Sequence, residues 1–250
     1  YSGDDLERGI ALSGNGEFLA VCDASVTPEI IHLFRHTGSG KWTRFKDKDG
    51  NAFVIYDQSP YTNNNSKGRF GEFLCWDRFG STLLVSDYGA NNNDSGGDGS
   101  IWIYDLEWNP TTSNGDNATA NGYSGGVIKN KAVINKNYGT GGRPWGTSWA
   151  SPPTLSEDGN RITFGGNYHD GDGFLAIYDR VNNDFVEVPG HNIAPDNFQS
   201  YFDNVSSDLP EESINRWGAW SVLLSDNGET IVTPMRNAKR DSNNDWVHQI

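Results

Sequence analysis

The feature that most constrains this chain is an internal repeat. Four segments of the 250 residues share one plan. They are "ERGIALSGNGEFLAVCDASVTPEIIHLFRH" from Glu7, "RFGEFLCWDRFGSTLLVSDYGANNNDSGGDGSIWIYDLEW" from Arg69, "RPWGTSWASPPTLSEDGNRITFGGNYHDGDGFLAIYDR" from Arg143 and "RWGAWSVLLSDNGETIVTPMRNAKRDSNNDWVHQI" from Arg216. Each has an arginine and then a glycine, at Gly9, Gly71, Gly146 and Gly218. Each carries a turn glycine, at Gly16, Gly80, Gly159 and Gly228. A β-rich run follows the turn ("FLAV", "TLLV", "RITF", "TIVT"), then a polar loop, then a second alternating run ("IIHLF", "SIWIY", "FLAIY", "WVHQI"). Self-similarity at a spacing of roughly 60 to 75 residues marks a repeat architecture.

One unit can be built from its residues. Runs of Val, Ile, Leu, Phe and Trp bounded by Gly, Asn and Asp are strands. "SGNG", "SEDG" and "SDNG" set Asn or Asp before Gly between two such runs, which is the chemistry of a tight hairpin. The third strand follows the longer loop. A fourth is expected from "KWTRF", "GVIKNKAVINK" and "DFVEVPG". Three or four antiparallel strands, repeated, predict an all-β fold: a β-propeller built of repeated antiparallel blades. One blade cannot bury both of its faces, so blades pack face to face. Glycine after each arginine permits crowding of the inner strands. The units span about 7–68, 69–142, 143–215 and 216–250, within one domain. Either the N-terminal residues close the propeller or the chain is part of a larger one.

The second segment, with Phe70-Gly71, "TLLVSD" and "GSIWIY", resembles the FG-GAP class of propeller repeats found in integrin α-subunit heads and in secreted or surface proteins. Trp145-Gly146 and Trp217-Gly218 stand in the same aromatic-glycine place, and "ALSGNGEFLAV" from Ala11 matches the middle of the repeat. The likeness covers the four segments and not the linkers at 109–142 and 186–215. It implies an extracellular protein used in recognition or adhesion. The family's D-x-D-x-D-G calcium motif does not occur in these hairpins, and the family's G-A-P is replaced by "CDA", "SDY", "GGN" and "TPM".

Composition narrows the partners. A formal charge of −14 disfavours nucleic acid, whose phosphates reward Lys and Arg. It equally disfavours anionic membrane surfaces, and no apolar run reaches the roughly 18 residues of a membrane span. Nine Trp, ten Tyr and twelve Phe beside a single Met suit sheets and loops rather than helices. Two cysteines, Cys22 and Cys75, lie in apolar runs and read as buried free thiols. Sequons at Asn64, Asn93, Asn117 and Asn204 are expected glycosylation sites if the chain is secreted.

The chemistry sits in the loops between second and third strands. Calcium takes six to eight oxygens from carboxylates, amides and carbonyls, with glycine at the bends. Asp87, Asn91, Asn93, Asp94 and Asp98 form the strongest expected metal loop, and Asp170 with Asp172 a second. Asn167, the trio Asp241, Asn243 and Asp245, and "DKDGN" at 47–51 have the same character. Tyr88 and Tyr168 stand beside these loops, where an aromatic face can stack on a sugar. Trp76, Trp149 and Trp220 follow the repeated glycine and belong between blades. His32 and His36 lie four apart, but in a strand that separation is about 13 Å, too far for one zinc ion. "GYSGG" at 122–126 lacks the strand-turn-helix setting of a nucleophile elbow. Two readings follow. One is a non-catalytic recognition or adhesion propeller, supported by calcium, on a cell surface, appendage or virus particle and binding protein or carbohydrate. The other is a propeller glycoside hydrolase or polysaccharide lyase.

Overall fold

The structure, a computed structural model, describes residues 9–26, 28–36, 38, 40–47, 50–57, 70–87, 100–108, 126–134, 152–166, 174–189, 214–217, 222–232, 235–240 and 246–249. No helix occurs among them. Among the described residues no helix is long and apolar enough to cross a membrane.

Each of the first three units forms one antiparallel sheet. The first holds β1 (Ile10–Leu12), β2 (Phe18–Asp23), β3 (Ile30–His36) and β4 (Trp42–Arg44) in chain order, with β5 (Val54–Tyr56) also on β3. The second runs β6 (Phe70–Trp76), β7 (Thr82–Asp87), β8 (Ser100–Trp108), β9 (Gly126–Ile134). The third runs β10 (Thr154–Leu155), β11 (Arg161–Gly166), β12 (Phe174–Val181), β13 (Asp184–Glu187). The fourth strands expected from "KWTRF", "GVIKNKAVINK" and "DFVEVPG" are therefore present. β5 was not expected. It shares the outer edge of β3, pairing Ile30–His32 while β4 pairs Phe34–His36.

The fourth unit departs from the expectation. "WVHQI" supplies β18 (Trp246–Gln249), but this strand pairs with β17 (Met235–Arg240), which also pairs β14 (Ile214–Trp217). The hairpin of β15 (Leu223–Leu224) and β16 (Ile231–Val232) has only two rungs and forms a separate sheet. Pro234 stands in the sequence between β16 and β17 and has no N–H to give a ladder.

Register gives each sheet two faces. Leu19 faces Phe34, Leu83 faces Tyr104 and Ile162 faces Tyr178 across the second and third strands. Leu83, Tyr104, Val85 and Leu106 meet Ala20, Ile31, Leu33 and Phe45 of the first sheet in one core. Leu84, Ile101 and Ile103 on the opposite face of the second sheet meet Ile162, Phe164 and Tyr178 of the third in another. Successive sheets stacked face to face are the blades of a β-propeller. Trp76 is buried in the first of these cores, as expected; Trp149 and Trp220 lie outside the described residues.

The hairpins share one device. Ser13 donates its hydroxyl to Asn15 Oδ1, and its oxygen accepts the Phe18 N–H. Ser156 does the same with Asp158 and Arg161, and Ser225 with Asn227 and Thr230. The positive φ falls on the glycines alone, at 73°, 75° and 72° for Gly16, Gly159 and Gly228. Asn and Asp therefore serve as acceptors rather than as left-handed residues. In the second unit Asp77 takes the serine's place and accepts the Ser81 N–H at 2.8 Å.

These turns are bonded in series. Asn15 N–H donates to Arg78 O, Arg78 N–H to Glu157 O and Glu157 N–H to Asp226 O, at 2.8, 3.1 and 2.8 Å. Arginines brace the same edge. Arg180 on β12 grips Asp105 on β8 with two bonds of 2.7 and 2.9 Å and donates to the Gly159 carbonyl. Arg161 grips Asp179 in the same manner and donates to the Gly228 carbonyl of the fourth unit.

The crowding expected at the repeated glycine is present where it is described. Gly9 N–H donates to Gly71 O at 2.9 Å, and a Cβ on Gly9 would stand 2.3 Å from that oxygen. Gly146 and Gly218 lie outside the described residues.

Candidate functional site

The two ends of the stack differ. One carries the bonded turns. At the other, β2 and β7 finish at Asp23 and Asp87, and β3 and β8 begin at Ile30 and Ser100. β11 finishes and β12 begins at this same end. The loops expected to bind a cation or a ligand start here. Of their residues, Asp87 is described. Asn91, Asn93, Asp94, Asp98, Asp170, Asp172, Tyr88 and Tyr168 lie outside the described residues, as do the sequons at Asn64, Asn93, Asn117 and Asn204.

Asp87 is fully buried at the end of β7, opposite Phe70 and Ser100. Its Oδ2 accepts the Trp102 indole N–H at 3.1 Å. A second buried acid, Glu29 of the first sheet, accepts the Phe70 N–H at 2.6 Å. Two carboxylates from neighbouring sheets thus flank Phe70. Burial pushes the Tyr104 phenol far above its ordinary value, with the charges of Asp57 and Asp87 adding to the shift. Sequence reasoning did not single out Glu29, because nothing local distinguishes it; its role exists only through contact with the next sheet. Among the described residues no three His, Cys, Asp or Glu gather as a metal would require.

A second polar group lies on the first sheet. Asp23 accepts the Ser25 hydroxyl and contacts His32 Nε2 at 3.4 Å. The Ser25 bond, above all, holds the Asp23 carboxyl below its usual range, outweighing partial burial. Arg44 occupies the Nδ1 side of His32. That contact makes Nδ1 the acceptor and puts the proton on Nε2, facing Asp23. His36 instead meets the Trp42 ring at a tilt, with centroids 5.2 Å apart. The two histidines do not share a site, as the strand reading required. Asp47 is also committed locally: its carboxylate accepts the Asn51 N–H at 2.8 Å and closes its own turn.

Both cysteines are free thiols. Cys22 is buried and donates to the Phe70 carbonyl. Cys75 is half-buried rather than buried, yet desolvation pushes its thiol up to about 11. Thiolate, the reactive form, is scarce at Cys75, and Cys22 is shielded by burial, so at pH 8 both are expected to label about tenfold more slowly in the native protein than in denaturant. Rapid native labelling of Cys22, followed by mass spectrometry, would contradict the packing at Phe70.

No protein-family model matches the chain, and no curated protein does. Similar solved structures include TolB from Acinetobacter baumannii, 11% identical, covering 96% of this chain and 39% of its own, at a TM-score of 0.38. A periplasmic gluconolactonase from Pseudomonas aeruginosa is 15% identical and covers 96% of this chain and 55% of its own, at 0.39. A hypothetical selenium-binding protein from Sulfolobus tokodaii is 13% identical and covers 72% and 39%, also at 0.39. The chain spans about half the gluconolactonase and less of the other two. At such TM-scores the propeller assignment rests on the sheets and their faces, described above.

Proposed function

We propose that this chain is an extracellular, non-catalytic recognition propeller of the FG-GAP-like kind. Its loops at 88–98 and 167–173 meet a protein or carbohydrate ligand, and calcium organises the first of them. The observation that carries this reading is the root of that loop. Asp87 and Glu29, both buried, tie it to a seam between two sheets, so a rigid scaffold fixes where the loop departs. Binding residues are characteristically placed on loops held by such scaffolds. Asp94 and Asp98 add two carboxylates to Asp87 within twelve residues, and Gly96, Gly97 and Gly99 allow the carbonyls to turn inward.

A cation held only by the folded chain stabilises it by about 2.7 kcal/mol at a hundred times its dissociation constant. Calcium is therefore expected to raise the melting temperature over a chelator control, and Asp98→Ala to remove most of the difference. Asp87→Ala is the poorer test, because it also strips Trp102 of its acceptor. Superimposed melting curves with calcium and with chelator would end the calcium reading. The wider function is tested on a glycan array read beside a reducing-end assay on the glycans bound. Retention without cleavage fits recognition; release of reducing ends would establish the hydrolase or lyase instead.

A further inference from the structure

Asparagine followed by glycine is a pair at which a chain readily modifies itself. The glycine nitrogen attacks the asparagine Cγ, the Cγ–Nδ2 bond breaks, and the side-chain nitrogen leaves as ammonia, taking the proton of the peptide N–H. Water then opens the five-membered imide at either carbonyl and leaves aspartate or isoaspartate. The attack needs a peptide nitrogen able to give up its proton and free rotation between the two residues. Glycine favours it because no side chain crowds the ring.

The pair occurs at Asn15-Gly16, Asn114-Gly115, Asn121-Gly122 and Asn227-Gly228. The middle two lie outside the described residues. The other two stand in the serine-centred turns, with both asparagines exposed to solvent. The turn removes what the reaction needs. Gly16 N–H donates to Ser13 O and Gly228 N–H to Ser225 O, each at 2.8 Å. That bond engages the proton that must leave, and by closing the turn it fixes the torsion between asparagine and glycine. The side chains are held as well. Asn15 Oδ1 accepts the Ser13 hydroxyl and the Glu17 N–H at 2.7 and 2.9 Å, and Asn227 Oδ1 accepts the Ser225 hydroxyl and the Glu229 N–H at 2.7 and 3.1 Å. Donors on the oxygen polarise Cγ, but no attack follows while the nitrogen keeps its bond. Neighbouring units add restraint, since Asn15 N–H donates to Arg78 O and Arg161 to the Gly228 carbonyl.

The third turn carries aspartate at the same position. Asp158 Oδ1 accepts the Ser156 hydroxyl and the Asn160 N–H at 2.6 and 3.0 Å. Aspartate, one product of the reaction, therefore has a place in this turn. Isoaspartate adds a carbon to the backbone and does not keep the serine-to-glycine spacing.

From this geometry we infer that Asn15 and Asn227 are latent deamidation sites that the serine-centred turns hold shut. The folded chain keeps both amides, and each opening of a turn exposes its own asparagine to irreversible conversion.

The test is incubation of the 250-residue chain at pH 8 and 37 °C, folded and in denaturant, followed by peptide mapping for ammonia loss and isoaspartate. Both sites are expected to convert about tenfold more slowly in the folded chain, the scale of the few hydrogen bonds that must break before attack. Ser13→Ala removes the hydroxyl that joins Asn15 to the Phe18 N–H, and it is expected to speed conversion at Asn15 about fivefold, the loss of about one such bond, with Asn227 unchanged. Ser225→Ala is expected to do the reverse, so the inference stays testable if one variant fails to fold. Circular dichroism checks the fold of each. Equal rates in the folded and denatured chain overturn the inference. So does a folded serine variant whose own asparagine is not accelerated, and so does acceleration of both sites alike, which would place protection in the whole fold rather than in the turn.

Discussion

Gly9→Ala is expected to lower the unfolding free energy by about 3 kcal/mol or more, the scale of overpacking against atoms that cannot move aside. The added methyl would stand 2.3 Å from the Gly71 carbonyl oxygen and 2.8 Å from Leu74. The oxygen is the difficulty. It is backbone, it accepts the Gly9 N–H, and it belongs to a residue at φ +78°, where a bulge separates Phe70 from Leu74. Cys22 N–H in turn donates to the Gly9 carbonyl. Moving the two chains apart would break that pair of bonds. Gly16→Ala is the control. Unlike Gly9 it lies at a positive φ, but nothing stands within 4 Å, so its substitution costs only the conformational strain of about 1 kcal/mol. Equal denaturation midpoints for the two variants would show that the contact at Gly71 does not constrain the fold.

Arg180→Ala is expected to cost about 3 kcal/mol, because it strands a partly buried carboxylate. The Arg180 and Asp105 side chains are 16% and 21% exposed, so solvent screens the pair only in part. Burial alone would raise the Asp105 carboxyl, but bonding and charge from Arg180, with Asn130 and Thr82, bring it below its usual value. A lowered folded-state value contributes stability that is complete above the unfolded value of about 3.9 and disappears as pH falls through the lower folded one. The gap between parent and Asp105→Asn is therefore expected to be full at neutral pH and to close in strong acid. Urea midpoints at pH 7 and pH 3 measure it. A gap that stays constant between them would mean that the charge on Asp105 is not what Arg180 answers.

The repeat was legible because each of its signals is local. Ser13, Asn15 and Gly16 write one turn within four residues, and the same pattern recurs at 156–159, with Asp158 for the Asn, and at 225–228. Alternation in "FLAVCD" and "IIHLFRH" gave strands with distinct faces. What failed was whatever depends on a partner. β5 shares an edge with β4, a choice made by β3 rather than by "VIY". β17 looked like polar loop because Arg236, Asn237, Lys239 and Arg240 carry no strand signal of their own. At the candidate site, Asp87 was read from an acidic loop, whereas Glu29 acquires its place only from Phe70 on another sheet. Arg180 was invisible for the same reason, since its carboxylate lies 75 residues away.

The serine-centred turns bear on how the chain reaches its fold. Each closes between residues at most five apart, so a hairpin can form before any other unit exists. Contacts of such low order are made early and quickly, while pairings distant in sequence pay loop-closure entropy first. The Asn15-to-Arg78 bond and its successors must wait for finished hairpins. Assembly then resembles a row of prefabricated corners docking one after another, which a growing chain leaving the ribosome can begin long before its last residue is made.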